Sequence, residues 1–148
     1  MTLSLQEISD RLEIQDLIAR YSYALDSRDL DALDELFTAD AVLDYRATGA
    51  IRGSLDEMKA FVADAFTMFE GTQHLTTQTL LSFEDDGNTA HGKSACHNPM
   101  VFAGDNKPKM MVVGLWYRDT FVRTPDGWRF RERTEEQLYS SIVPKVRS

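Results

Sequence analysis

The feature that most constrains this chain is a change of period near Gln73. Up to about Gly71 the apolar side chains recur at helical spacing; beyond Gln73 that spacing disappears, and strand-like runs alternate with the turn sequences DDGN, AGDNKP and TPDGW. The runs place four strands near residues 73–84, 89–102, 109–123 and 128–140. Their connections are too short for parallel crossovers, so antiparallel hairpins are expected. Helices first and a meander afterwards is an α+β order in which the helices cover one face of the sheet. At 148 residues, 43% of them hydrophobic and with no Pro-rich, Gly/Ser-rich or repetitive stretch, the chain reads as one domain over 1–148. A domain of that size buries roughly 70% of its unfolded surface, so its core needs no disulfide or metal.

Three helical segments are expected. From Leu5 to about Asp26, residues Ile8, Leu12, Ile14, Leu17, Ile18, Tyr21 and Leu25 mark a long first helix. Asp29 is placed to cap a second, short one carrying Leu30, Leu33, Leu36 and Phe37 and ending before Asp40; AVLDY then reads as a strand. Ser54 and Glu57 form a capping box for a third helix, with Met58, Phe61, Val62, Ala65, Phe66 and Phe69 on one face and Gly71 as its terminator.

Composition removes several function classes. A net charge of −8, from 24 acidic and 16 basic residues with no basic block, repels a phosphate backbone, so no nucleic-acid partner is expected. No stretch approaches the ~20 apolar residues of a membrane span, and MTLSLQEISD lacks a basic start and an apolar run. With the single Cys96, these features predict a cytoplasmic protein that does not engage membranes. Familiar nucleophile, phosphate-loop and metal motifs are missing, and His74, His91 and His97 match no zinc spacing; neither metal nor cofactor is expected.

The element order, with YSYALDSRDLDALDELFTADAVLDY, TQHLTTQ and GLWYRDTFVRTPDGWRF, resembles the SnoaL-like branch of the nuclear transport factor 2-like superfamily over nearly the whole chain. The resemblance implies a cone-shaped α+β barrel, with three N-terminal helices packed on a curved, mainly antiparallel sheet. Within the branch the chain is most similar to scytalone dehydratase and bacterial bile-acid dehydratase, which remove water from ring-bearing substrates inside the cone. The bile-acid dehydratase pattern of tyrosine, aspartate five residues later and histidine on the first long strand falls on Tyr21, Asp26 and His74. The scytalone dehydratase pattern falls on Asp26, Tyr45, His74 and His97, with Leu25 where that family has a tyrosine. Its serine and asparagine are replaced by Met111 and Val113, and an arginine of the bile-acid enzyme by Gln137, so neither family's substrate is implied.

The resemblance therefore implies catalysis by Tyr21, Asp26 and His74, with Tyr45, His97, Met111 and Val113 contacting substrate. Dehydration beside a carbonyl requires a base that takes a carbon-bound proton, a role suited to histidine, and a carboxylate on the other imidazole nitrogen would fix the tautomer. A phenol, Tyr21 first and Tyr45 second, would donate to the developing enolate. On an ideal helix positions 21 and 26 lie about 140° apart, so direct convergence requires the helix to loosen. Read singly, the three residues have structural roles open to them: Tyr21 in the core, Asp26 in a turn, His74 capping a helix end. The expectation is a cofactor-free dehydratase or isomerase acting on a small cyclic or aromatic carbonyl compound. The other reading is a non-catalytic ligand-binding or structural subunit, such as the β-type subunit of ring-hydroxylating dioxygenases. Large side chains on both faces of GLWYRDTFVR predict a homodimer or homotrimer in either case.

Overall fold

The computed structural model describes residues 2–106 and 109–145. Helix α1 spans Leu5–Asp26, its first turn capped by Ser4, whose hydroxyl accepts the Glu7 N–H at 3.1 Å. A 3-10 helix follows at Leu30–Glu35, capped by Asp29, and leads into β1, Phe37–Asp44. The short β2, Arg52–Gly53, precedes α2, Leu55–Ala65, where Ser54 and Glu57 form the full capping box. After α2 the chain departs from the expected helix: one 3-10 turn at Phe66–Met68 ends it, and Phe69–Thr72 is strand β3. The strands β4, Leu75–Thr76, and β5, Leu80–Phe83, precede the three long ones, β6 (Thr89–Phe102), β7 (Lys109–Thr124) and β8 (Gly127–Pro144).

The strands make one sheet in the order β2-β1-β8-β7-β6-β3, with β4 and β5 also on β6. All pairings are antiparallel except β1 with β8, which run parallel. The ends β2 and β3 do not pair, so the curved sheet stays open rather than closing into a full barrel. Helix α1 packs across the inner face, burying Ile14, Leu17, Ile18, Tyr21 and Leu25 against Phe37, Phe121, Trp128 and Phe130. Leu12, expected on this stripe, is exposed; the buried side chain of that turn is Asp10, held by Arg123 at 2.8 Å and by the Trp128 indole N–H at 3.0 Å.

Two register shifts in β8 decide what faces the cone. Phe121 pairs with Phe130 but Thr120 with Glu132, so Arg131 is an extra residue; Leu115 pairs with Gln137 but Gly114 with Tyr139, making Leu138 another. Because strand side chains alternate, the shift at Arg131 turns Arg133 and Glu135 to the same interior as Phe130.

Candidate active site

A cavity of about 320 Å³ lies between the helices and the sheet, within the usual range for small-molecule sites. Leu25, Phe61, Val62, Phe66, Met100 and Met111 contribute its apolar wall, and Tyr21, Tyr45, His74, Asn98 and Glu135 its polar groups. Met111 and Val113 are among its lining residues.

Asp26, the last residue of α1, faces the link between β3 and β4. Its carboxylate accepts the His74 backbone N–H at 2.8 Å and lies 2.6 Å from His74 Nδ1, while the Thr72 hydroxyl donates to it at 3.0 Å. Burial alone would raise the Asp26 carboxyl; His74, through its ring, charge and N–H, outweighs it with Thr72 and holds the group below the usual carboxylate range. Asp26 is thus an anion bound to one imidazole nitrogen, and Nε2 remains as the ring nitrogen for a substrate. Arg28 supports the pair: its guanidinium donates to Thr72 Oγ1 at 2.9 Å and to the Leu25 carbonyl at 3.1 Å, and lies 4.1 Å from the Phe66 ring centroid. It does so from a left-handed backbone conformation, φ 64°.

Tyr21 does not touch Asp26. The helix stays regular to its end, and Tyr21 instead points to Tyr45, with the two hydroxyls 2.6 Å apart. Burial raises both phenols above their ordinary value, so both stay protonated; one O–H is used between them and the second is available to a ligand. The structure therefore brings Tyr21, Tyr45 and His74 to one cavity, with Asp26 behind the histidine.

His97 does not reach it. Cys96 and Asn98 are buried, so by alternation His97 points outward, where it is exposed and its Nδ1 meets the Tyr139 hydroxyl at 2.8 Å. Asn98, rather than His97, occupies the cavity wall. His91 is exposed beside Glu84, as its place after a turn predicts.

Sequence reasoning missed the floor of the site. Arg133 is fully buried, its guanidinium carbon 3.6 Å from the Tyr117 ring centroid and 4.2 Å from that of Tyr21, with Nε 3.2 Å from Asp119. Burial pushes Asp119 up to about 6 against the pull of Arg133. Burial likewise pushes Glu135 up to about 7, outweighing the Thr48 hydroxyl, Arg133 and the Tyr117 hydroxyl, all of which favour the carboxylate. Among the described residues, no three His, Cys, Asp or Glu side chains come together as a metal site, and no helix is long and apolar enough to cross a membrane.

A SnoaL-like domain model matches residues 6–134. The chain belongs to the SnoaL-like domain family. This SnoaL-like chain is 45% identical over 141 residues to an uncharacterized protein of Mycobacterium tuberculosis, covering 95% of the chain and 94% of that relative. Many solved structures share the fold, two from Novosphingobium among them. Hexachlorocyclohexane dehydrochlorinase LinA-type3 from Novosphingobium barchaimii superposes with a TM-score of 0.84 at 16% identity, covering 97% of each chain. A protein of Novosphingobium aromaticivorans, provisionally named a scytalone dehydratase, superposes with a TM-score of 0.82 at 22% identity, covering 97% of this chain and 93% of that one. A nuclear transport factor 2-like superfamily protein from Salmonella enterica has the same fold, with a TM-score of 0.77 at 15% identity, covering 90% of this chain and 94% of that one.

Proposed function

We propose that the protein is a lyase in which His74 takes a carbon-bound proton from a small cyclic or aromatic carbonyl compound held in the cavity. The observation that carries this reading is the 2.6 Å contact between His74 Nδ1 and Asp26, made by a histidine that lines the cavity. Asp26 fixes the tautomer with Nε2 free to accept a proton and stabilises the imidazolium that results. The substrate carbonyl lies against the Tyr21–Tyr45 pair, whose spare O–H supports the developing enolate, and the apolar wall holds the ring. Expulsion of a group from the neighbouring carbon completes the elimination.

A purely structural cone has no use for a hydrogen-bonded carboxylate and imidazole beside its cavity, because such groups cost desolvation energy. The first half-reaction can be read without the natural substrate. In D2O the protein should accelerate α-proton exchange of 1-decalone or 2-tetralone, followed by NMR, and His74→Ala should reduce the rate by about 10²–10⁴-fold with an unchanged circular dichroism spectrum. Equal exchange by wild type and H74A would remove His74 as the base. We also propose that the outer sheet face, where Trp116 and Tyr139 are exposed, carries a dimer or trimer contact; a monomer by light scattering would refute it.

A further inference from the structure

Elimination beside a carbonyl has a second proton to account for. Chloride leaves as a stable anion, whereas hydroxide must be protonated as it departs, so the acid in the cavity reports on the leaving group. We infer that Glu135, as a neutral carboxylic acid, supplies the proton that turns a departing hydroxide into water, and that the substrate is accordingly a β-hydroxy carbonyl compound. This rests on His74 acting as the base.

Charge balance in the floor is the first support. One buried cation, Arg133, faces two buried carboxyls, and it is Asp119 that it pairs with at 3.2 Å. A single guanidinium neutralises one carboxylate; the second carboxyl in so enclosed a place is favoured in its uncharged form. The other groups near Glu135 are the phenols of Tyr21, Tyr45 and Tyr117 and the thiol of Cys96, none of which brings a compensating positive charge.

Proton counting at Thr48 is the second. Its hydroxyl lies 2.9 Å from the Tyr45 carbonyl oxygen and also meets Glu135 Oε2. A hydroxyl owns one proton, and both partners would be pure acceptors if Glu135 were ionised. With Thr48 donating to the Tyr45 carbonyl, the proton in the second contact belongs to Glu135. Thr48 and Glu135 both line the cavity, and among the described residues Glu135 is the one carboxyl in that lining.

Acid strength separates Glu135 from the phenols. Burial places Glu135 near 7 and raises Tyr21 and Tyr45 above 10, so the carboxyl is roughly a thousandfold stronger as an acid. The phenols suit the enolate oxygen, to which they donate without losing their protons. The step then balances: His74 Nε2 takes the α-proton, the C–H pair becomes the new C=C bond, the C–O pair leaves with oxygen, and the Glu135 proton joins it to form water. The imidazolium proton returns to the Glu135 carboxylate through solvent, restoring both groups.

Two measurements on the intact protein test the inference. Infrared spectra from pH 5.5 to 8.5 should contain a protonated-carboxyl C=O band that bleaches with a midpoint near 7 and is missing in Glu135→Gln; an ionised Glu135 throughout would overturn the assignment. Elimination from 3-hydroxycyclohexanone and 3-chlorocyclohexanone should also be compared, above the uncatalysed rates. E135Q should lower the ratio of hydroxide to chloride loss by about 100-fold relative to wild type. An unchanged ratio, or a wild-type protein that expels only chloride or neither group, overturns the inference. Failure of the underlying reading looks different: H74A would then leave both eliminations, and α-proton exchange, at wild-type rates.

Discussion

The same Glu135 that serves as an acid must weigh on the stability of the fold, and the sign of that effect is fixed. Its carboxyl titrates near 4.5 when exposed and near 7 in the folded protein, with burial as the main cause. Between those values the native state holds a proton that the unfolded chain has released, so stability is fully present below 4.5, declines as pH rises, and levels off above 7. A rise from 4.5 to about 7, at roughly 1.4 kcal/mol per pH unit, makes the total decline about 3 kcal/mol. Glu135→Gln keeps the shape and, through its amide N–H, a donor to the Thr48 hydroxyl, but has nothing to titrate. Urea unfolding of wild type and E135Q at pH 5, 7 and 8.5 measures the difference directly, because contributions from Asp119 and the exposed groups enter both proteins alike. E135Q should gain about 2–3 kcal/mol on wild type between pH 5 and 8.5, or roughly 5–10 °C in Tm for a domain of this size. Curves that stay parallel across that range would refute a carboxyl protonated in the folded state, whatever the offset between them.

Other substitutions probe the remaining parts of the site. Asp26→Asn should keep the fold yet lower turnover by about 10²–10⁴-fold, since the amide no longer fixes the base-competent tautomer of His74; proton-exchange kinetics would show it. Arg28→Met removes the donor that holds Thr72, with an expected loss of about fivefold in kcat at unchanged KM, the equivalent of one ordinary hydrogen bond. His97→Ala should leave α-proton exchange within about twofold and stability within about 0.5 kcal/mol, because the ring is exposed and outside the cavity.

What the residues reveal in advance depends on how far their partners lie along the chain. The start of α2 is legible because Ser54 and Glu57 satisfy each other's backbone groups within one turn. The pairing of Asp26 with His74, 48 positions apart, follows from no local rule and was reached through family resemblance. Asp10 carries no local sign of burial, yet it is buried, because Arg123, 113 positions away, neutralises it. Simple alternation sets Cys96 and His97 on opposite faces without saying which is inward, and the resemblance that put His97 in the cavity had the wrong one. Alternation fails in β8, where RFRERTEEQ places Arg133 and Glu135 on the same face as Phe130 only because Arg131 is an extra residue. Nothing in the local pattern announces that shift, and with it the charged floor of the cavity stayed hidden.

The parallel union of β1 with β8 has a consequence for how this protein comes into being. Phe37 sits beside Phe130 and Asp44 beside Thr134, so the strand that follows the first two helical segments finds its partner only after about ninety further residues have been made. A ribosome adding ~5–20 residues per second leaves the early segment waiting for several seconds with Phe37, Ala41 and Leu43 uncovered, a span in which chaperones and neighbouring chains compete for them. Tyr45 meets Tyr21 and Thr48 meets Glu135 only once that late strand arrives. Assembly of the chemistry and completion of the chain are therefore the same late event, and a shortened chain ending before β8 would hold neither.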